Sequence, residues 1–157
     1  MLAKQPKILR VGIGGMGAIG AALARHLDRG VHGLSLVAIS VRQPDKVRPN
    51  LEKLRVKPEI VRLGELAALA DVVVECAPAG VFDEIALPTV DAGRILVPAS
   101  VGALLDRPEL IEKARKQGAR ILVPTGALVG LDAVRAAAEG KIHSVQMVTR
   151  KPPAGLK

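Results

Sequence analysis

A chain of 157 residues is the size of one ordinary domain, able to bury a core without staples and too short for a second complete domain. Its 23 Lys and Arg outweigh 15 Asp and Glu, a net charge of +8 that favours anionic partners. Phe82 is the only aromatic residue and the basic residues are scattered, which argues against nucleic acid as the partner, since single strands are held on aromatic platforms. Cys76 is the single cysteine, so no internal disulfide forms. No apolar run approaches the ~18 residues that span a bilayer, and nothing at the N-terminus resembles a signal peptide. A cytoplasmic protein without a membrane partner is expected.

In chain order, "KILRVGI" (7–13) reads as a buried strand that runs into glycine, and "AIGAALARHL" (18–27) as a helix with Ile19, Leu23 and Leu27 on one face. "LSLVAIS" (34–40) is a second strand, and Pro44 and Pro49 mark "RQPDKVRPN" as a loop. A weak strand at 59–63 and a short helix at "GELAALA" follow. The three valines of "DVVVECA" (71–77) predict a central parallel strand buried on both faces. "VFDEIALPTVDAG" reads as a helix kinked at Pro88, and "RILVPAS" as a strand. "DRPELIEKARKQG" reads as a helix capped by Asp106, supported by Glu109 and stopped by Gly118. "RILVPTG" is a further strand, "LDAVRAAAEG" a helix ended by Gly140, and "IHSVQMVTR" a last strand. Positions 95–98 and 121–124 both read "ILVP", which marks two successive strand-helix units. Strands alternating with helices predict an α/β fold, a doubly wound parallel sheet with right-handed crossovers.

"GIGGMGAIG" (12–20) contains G-x-G-x-x-G in two registers, starting at Gly12 or at Gly15. In dinucleotide-binding (Rossmann) domains one glycine makes the turn, the next admits the pyrophosphate, and the third lets the helix pack on the strand. A turn at Gly12 wastes Ile13 in the loop, whereas a turn at Gly15 keeps Val11 and Ile13 in the strand. It also places Gly20 and Ala24 one turn apart where the helix meets the sheet. The expected set is therefore Gly15, Gly17 and Gly20, with Met16, Ala18 and Ile19 offering backbone amides to a diphosphate.

An Asp or Glu roughly 20 residues further on would hold the adenosine ribose of NAD. Ser40 stands there, with Arg42 close behind. A serine cannot hold both ribose hydroxyls, and an arginine can pair with a 2′-phosphate, so the cofactor is NADP or NAD; Arg42 also reads as a solvated loop charge. Asp71 and Glu75, on one strand, lack paired-acid geometry. His26, His32 and His143 read as surface or packing residues, Cys76 as a small buried hydrophobe, and no metal constellation is present in the sequence.

"GMGAIG", "VVVECAP", "VPASVGALLD", "VPTGALVGLDAVRAA" and "VTRKPP" occur in an order and spacing that resemble the aspartate dehydrogenase family over essentially the whole chain. The resemblance implies NAD(P)-dependent oxidative deamination of L-aspartate, with Cys76, Ala77 and Pro78 flanking the cofactor and Ala127 against it near the nicotinamide. It also implies a dinucleotide-binding domain at 1–124 and, at 125–157, the beginning of an incomplete catalytic domain. Family members continue into a domain that carries a catalytic histidine, so the catalytic residue is left unassigned and this chain by itself is expected to turn over little or no substrate. Lys151 in "RKPP" matches a family motif that would attract a substrate carboxylate, or is a solvated lysine. The alternatives are a non-catalytic NAD(P)-sensing module that associates with a partner, and a dehydrogenase of another amino acid. Self-association into a homo-oligomer is also expected.

Overall fold

The computed structural model describes residues 8–126, 130–148 and 150. Six strands, β1 (Leu9–Gly14), β2 (Leu34–Ser40), β3 (Glu59–Ile60), β4 (Val72–Glu75), β5 (Ile95–Pro98) and β6 (Arg120–Ile121), form one sheet in the order β3-β2-β1-β4-β5-β6. Every pairing is parallel, so each connection is a crossover, and the order reverses between β1 and β4. Helices α1 (Ala18–Asp28), α2 (Pro44–Leu51), α3 (Leu66–Leu69), α4 (Phe82–Asp91) and α5 (Pro108–Gln117) supply the crossovers, and α6 (Leu131–Ala137) follows the sheet. This is the doubly wound α/β fold that the alternation predicts.

The chain divides into two compact units, Met1–Pro124 and Thr125–Lys157. The first holds the sheet and two apolar layers. One gathers Val11, Ile13, Leu36 and Ile39 with Ala24 and Leu27 of α1 and Leu51 of α2. The other gathers Ala38, Val73 and Leu96 with α3, α4 and α5 residues, including Phe82 and Ile85. A register shift between Val11 and Gly12 is what lets Leu36 and Ile39, three positions apart on β2, share one layer. The second unit carries α6, which buries none of its residues.

Several local expectations are corrected. Most of the stretch 42–50 read as a loop lies in α2: Pro44 sits at its start, where no N–H is needed. Burial of Leu51, with Val47 packed beside it, outweighs the cost of Pro49 inside the helix. The cap of α5 is Arg107 and not Asp106, because Pro108 takes the first helical position; Gly118 does end the helix in the left-handed region, at φ 67°. On α1 the buried face is Gly20, Ala24 and Leu27, while Ile19 is 63% exposed. The strand read at 7–13 runs Leu9–Gly14, and those read at 59–63 and 120–126 contract to β3 and β6. In β4 only Val73 of the three valines is fully buried. "GELAALA" begins as a 3-10 turn at Leu63–Glu65 and continues as α3, and α4 runs on through Pro88 as a single element. Residues 142–148 form no strand: alternation of side chains makes a strand only where a neighbouring edge accepts its hydrogen bonds.

Candidate functional site

The carboxyl ends of β1, β2 and β4 are tied together by their main chains. Gly15 follows β1 with φ 98°, a conformation that favours glycine. Its N–H donates to the Ser40 carbonyl at the end of β2 (2.8 Å), and the Cys76 N–H donates to the Gly14 carbonyl (2.7 Å). A Cβ on Gly15 would lie 2.5 Å from the Cys76 carbonyl oxygen, and one on Gly20 would lie 2.0 Å from the Gly15 oxygen. Both positions therefore exclude side chains on steric grounds. At Gly17 the situation is the opposite: nothing lies within 4 Å of where its Cβ would be. The middle glycine faces open space, and the outer two hold the turn and helix close enough together to make it.

The turn is thus at Gly15, as the second register expects. Gly12 lies within β1, where a Cβ would come 3.1 Å from the Ala70 Cβ; at Gly14 it would come 2.6 Å from Ile85 Cδ1. These two glycines let α3 and α4 approach the sheet, a packing role that the repeated motif hides.

Gly17 caps α1 with no side-chain hydrogen bond, and the first turn of the helix has no acidic residue. The amides of Ala18, Ile19 and Gly20 therefore lack intrahelical acceptors, and the positive end of the helix dipole meets no protein carboxylate in that turn. Met16 is half-buried against the α1 layer, while Ala18 and Ile19 are exposed. This junction has the makings of an anion site.

Ser40 is 3% exposed, whereas Arg42, two residues on, is exposed and makes no ion pair among the described residues. Cys76 is half-buried and packs against the α1 layer, as do Val72 and Val74. Burial, followed by the negative charge of Glu75, pushes its thiol up to about 11. A protonated thiol is no nucleophile at neutral pH, consistent with the packing reading. Ala77 packs against the α4 layer, and Pro78 precedes the 3-10 turn Ala79–Val81 that leads into α4. Gly15 is thereby bonded to Ser40, and its neighbour Gly14 to Cys76. Ala127 and Lys151 lie outside the described residues. His26, His32 and His143 are all exposed.

Asp71 and Glu75 do lack paired-acid geometry, and what each does instead was missed in the sequence. Glu75 ends β4 wholly buried, and its carboxylate accepts from Ala77 and from Ser100, which lies in the loop after β5. The only signal in the sequence is a glutamate closing a valine-rich strand. Asp71, at the other end, accepts from Arg10 and faces Arg94. The two acids point to opposite edges of the sheet.

A surface depression of about 590 Å³ runs along α1 past Ala18, Ile19, Ala22, Leu23 and His26. It is shallow and apolar and does not cover the glycine turn. Among the described residues there is no group of three or more His, Cys, Asp and Glu able to hold a metal, and no helix is long and apolar enough to cross a membrane.

A family model described as the homoserine dehydrogenase NAD binding domain matches residues 15–124. The L-aspartate dehydrogenase of Bradyrhizobium diazoefficiens is 52% identical over 149 residues, covering 95% of this chain and 53% of that protein. L-aspartate dehydrogenase 3 of Bordetella bronchiseptica is 53% identical over 150 residues, covering 95% and 55%. The chain spans about half the length of the curated relatives it matches. Among solved structures, a probable dehydrogenase from Thermotoga maritima superposes with a TM-score of 0.69 at 24% identity, covering 83% of this chain and 41% of that one, a likeness of fold.

Proposed function

This chain belongs to the family of the homoserine dehydrogenase NAD binding domain, and on that premise we propose that it is the cofactor-binding portion of an NAD(P)-dependent L-aspartate dehydrogenase. The observation that carries the cofactor reading is the open space at Gly17 beneath an uncapped helix start, flanked by glycines at which a Cβ cannot fit. A diphosphate fits there: the space is free, the amides of Met16 to Gly20 are donors, and the dipole has the right sign. The names and identities of the relatives support L-aspartate as the substrate.

In this reading Gly15, Gly17 and Gly20 shape the diphosphate cradle and Met16, Ala18 and Ile19 donate backbone N–H groups to it. Ser40 and Arg42 meet the adenosine ribose, where the free guanidinium of Arg42 favours a 2′-phosphate, and hence NADP over NAD. Cys76, Ala77 and Pro78 lie toward the nicotinamide side, and Ala127 belongs with them. Bound nicotinamide would supply hydride acceptance: loss of a hydride from the α-carbon of aspartate and of a proton from its amine would leave an imine, which water would hydrolyse to oxaloacetate and ammonia. Residues 1–124 form the dinucleotide-binding domain and 125–157 begin the substrate domain. The exposed Val145, Met147 and Val148 support self-association, for which sedimentation velocity is the check.

The protein contains no Trp or Tyr, so the fluorescence of a reduced cofactor can be followed without protein background. Titration with NADPH and NADH is expected to give saturable binding, NADPH the tighter, and Arg42→Ala should weaken NADPH by about tenfold while sparing NADH. Absence of binding with both cofactors overturns the reading. Calorimetric titration of the cofactor complex with L-aspartate and with homoserine tests the substrate, and preference for homoserine would reject aspartate.

A further inference from the structure

Glu75 ends β4 between Gly14 of β1 and Pro98 of β5. Its side chain is 0% exposed, an environment glutamate rarely occupies without partners. Those partners are neutral donors in two loops. Oε1 accepts from the Ala77 N–H (3.0 Å) and the Ser100 hydroxyl (3.1 Å), and Oε2 accepts from the Ser100 N–H (2.9 Å). The main chain repeats the tie, since the Glu75 carbonyl accepts from the Ala99 N–H (2.8 Å). One carboxylate thus fastens the loop after its own strand to the loop after β5.

A side chain needed only to fill the core would be apolar, because burying a carboxylate forfeits its hydration. What this one secures is backbone outside the core, at the carboxyl edge of the sheet. In a doubly wound fold a dinucleotide lies across that edge with its diphosphate at the first turn. The adenosine half extends over β2, toward Ser40 and Arg42, so the other half extends over β4 and β5.

We infer that Glu75 is a positioning residue for the nicotinamide half of the cofactor: by clasping Ala77 and Ser100 it sets the floor on which the ring rests, an assignment that builds on the dinucleotide reading above. It touches the cofactor only through the two loops it joins.

Glu75→Gln keeps the size but directs an amide NH2 at a backbone donor, so at least one backbone N–H loses its acceptor and the clasp weakens. The chain is titrated by calorimetry with NADH and with ADP-ribose, which lacks only the nicotinamide; for NADPH the matched probe is 2′-phospho-ADP-ribose. The expected result is about tenfold weaker binding of the whole dinucleotide with the ADP-ribose affinity unchanged. Ser100→Ala removes one of the three bonds and should give a smaller loss with the same selectivity. Equal losses on both ligands, or none on either, overturn the inference. Should Glu75→Gln fail to fold by circular dichroism, Ser100→Ala decides: a selective loss supports the clasp, and a parallel or absent one rejects it. A wild-type chain that binds neither ligand sinks the dinucleotide reading itself, and that failure is distinct because it precedes any variant.

Discussion

The two ends of β4 hold a buried acid each, and the two acids are treated differently. Asp71, 8% exposed just before the strand, receives the Arg10 N–H, Nε and Nη2 at 3.0 to 3.1 Å and has Arg94 Nη1 at 3.5 Å. Glu75, at the far end, receives backbone N–H groups and a hydroxyl from loops. The first acid is neutralised by guanidinium groups that the fold itself supplies, and its bonds join β1 to β4. The second binds only loop donors, at the edge where glycines keep space open. A charge at the amino edge therefore serves the sheet, and one at the carboxyl edge serves what the sheet presents.

Substitutions can break or sharpen that contrast, beginning with the most damaging. Gly20→Ala sets a methyl 2.0 Å from the Gly15 oxygen, so α1 must leave the sheet. We expect a loss of more than about 3 kcal/mol in urea titrations, with cofactor binding gone as well. Asp71→Ala strips a buried acceptor from Arg10 and should cost about 2 to 3 kcal/mol, while the remaining folded protein binds NADPH as the parent does. If its affinity fell along with its stability, the two edges would not be independent.

Gly17→Ala sharpens the contrast from the other side. The site has room and an ordinary φ of −71°, so stability should change by less than about 1 kcal/mol, yet the methyl enters the space where the proposed diphosphate would lie. Affinity for NADPH should fall at least tenfold, and unaltered affinity would place the diphosphate elsewhere. The smallest effect concerns Cys76. With its thiol pushed up to about 11, alkylation by iodoacetamide should be slow at neutral pH and accelerate as pH climbs toward that value. Because the folded thiol holds its proton more tightly than the ordinary 9.0, stability should also decline as pH rises from 9.0 through about 11. Fast labelling at neutral pH would mean that Cys76 is not packed as described.

The glycine turn was legible because its requirements are local. Positive φ at Gly15, a free middle position and a small residue one turn along α1 are set by neighbours in sequence. The choice between two overlapping motifs rested on which one keeps Ile13 in the strand, and Ile13 is indeed fully buried. The helix at 44–51 was not legible, since two prolines signal a break and only the apolar layer against α1 overrides that signal. Residues 142–148 erred the other way, with a strand pattern and no partner edge.

Sequence by itself determined the alternation of strands and helices, the parallel sheet that follows from it, and the glycine turn between β1 and α1. Each depends on periodicity or on the backbone freedom of individual residues. The tertiary structure alone decided that Gly12 and Gly14 serve packing, that Asp71 and Glu75 face opposite edges, and that Glu75 reaches Ser100, 25 positions away. Those outcomes depend on which segments the crossovers bring side by side, and a hydrogen bond between distant residues leaves no periodic trace in either one.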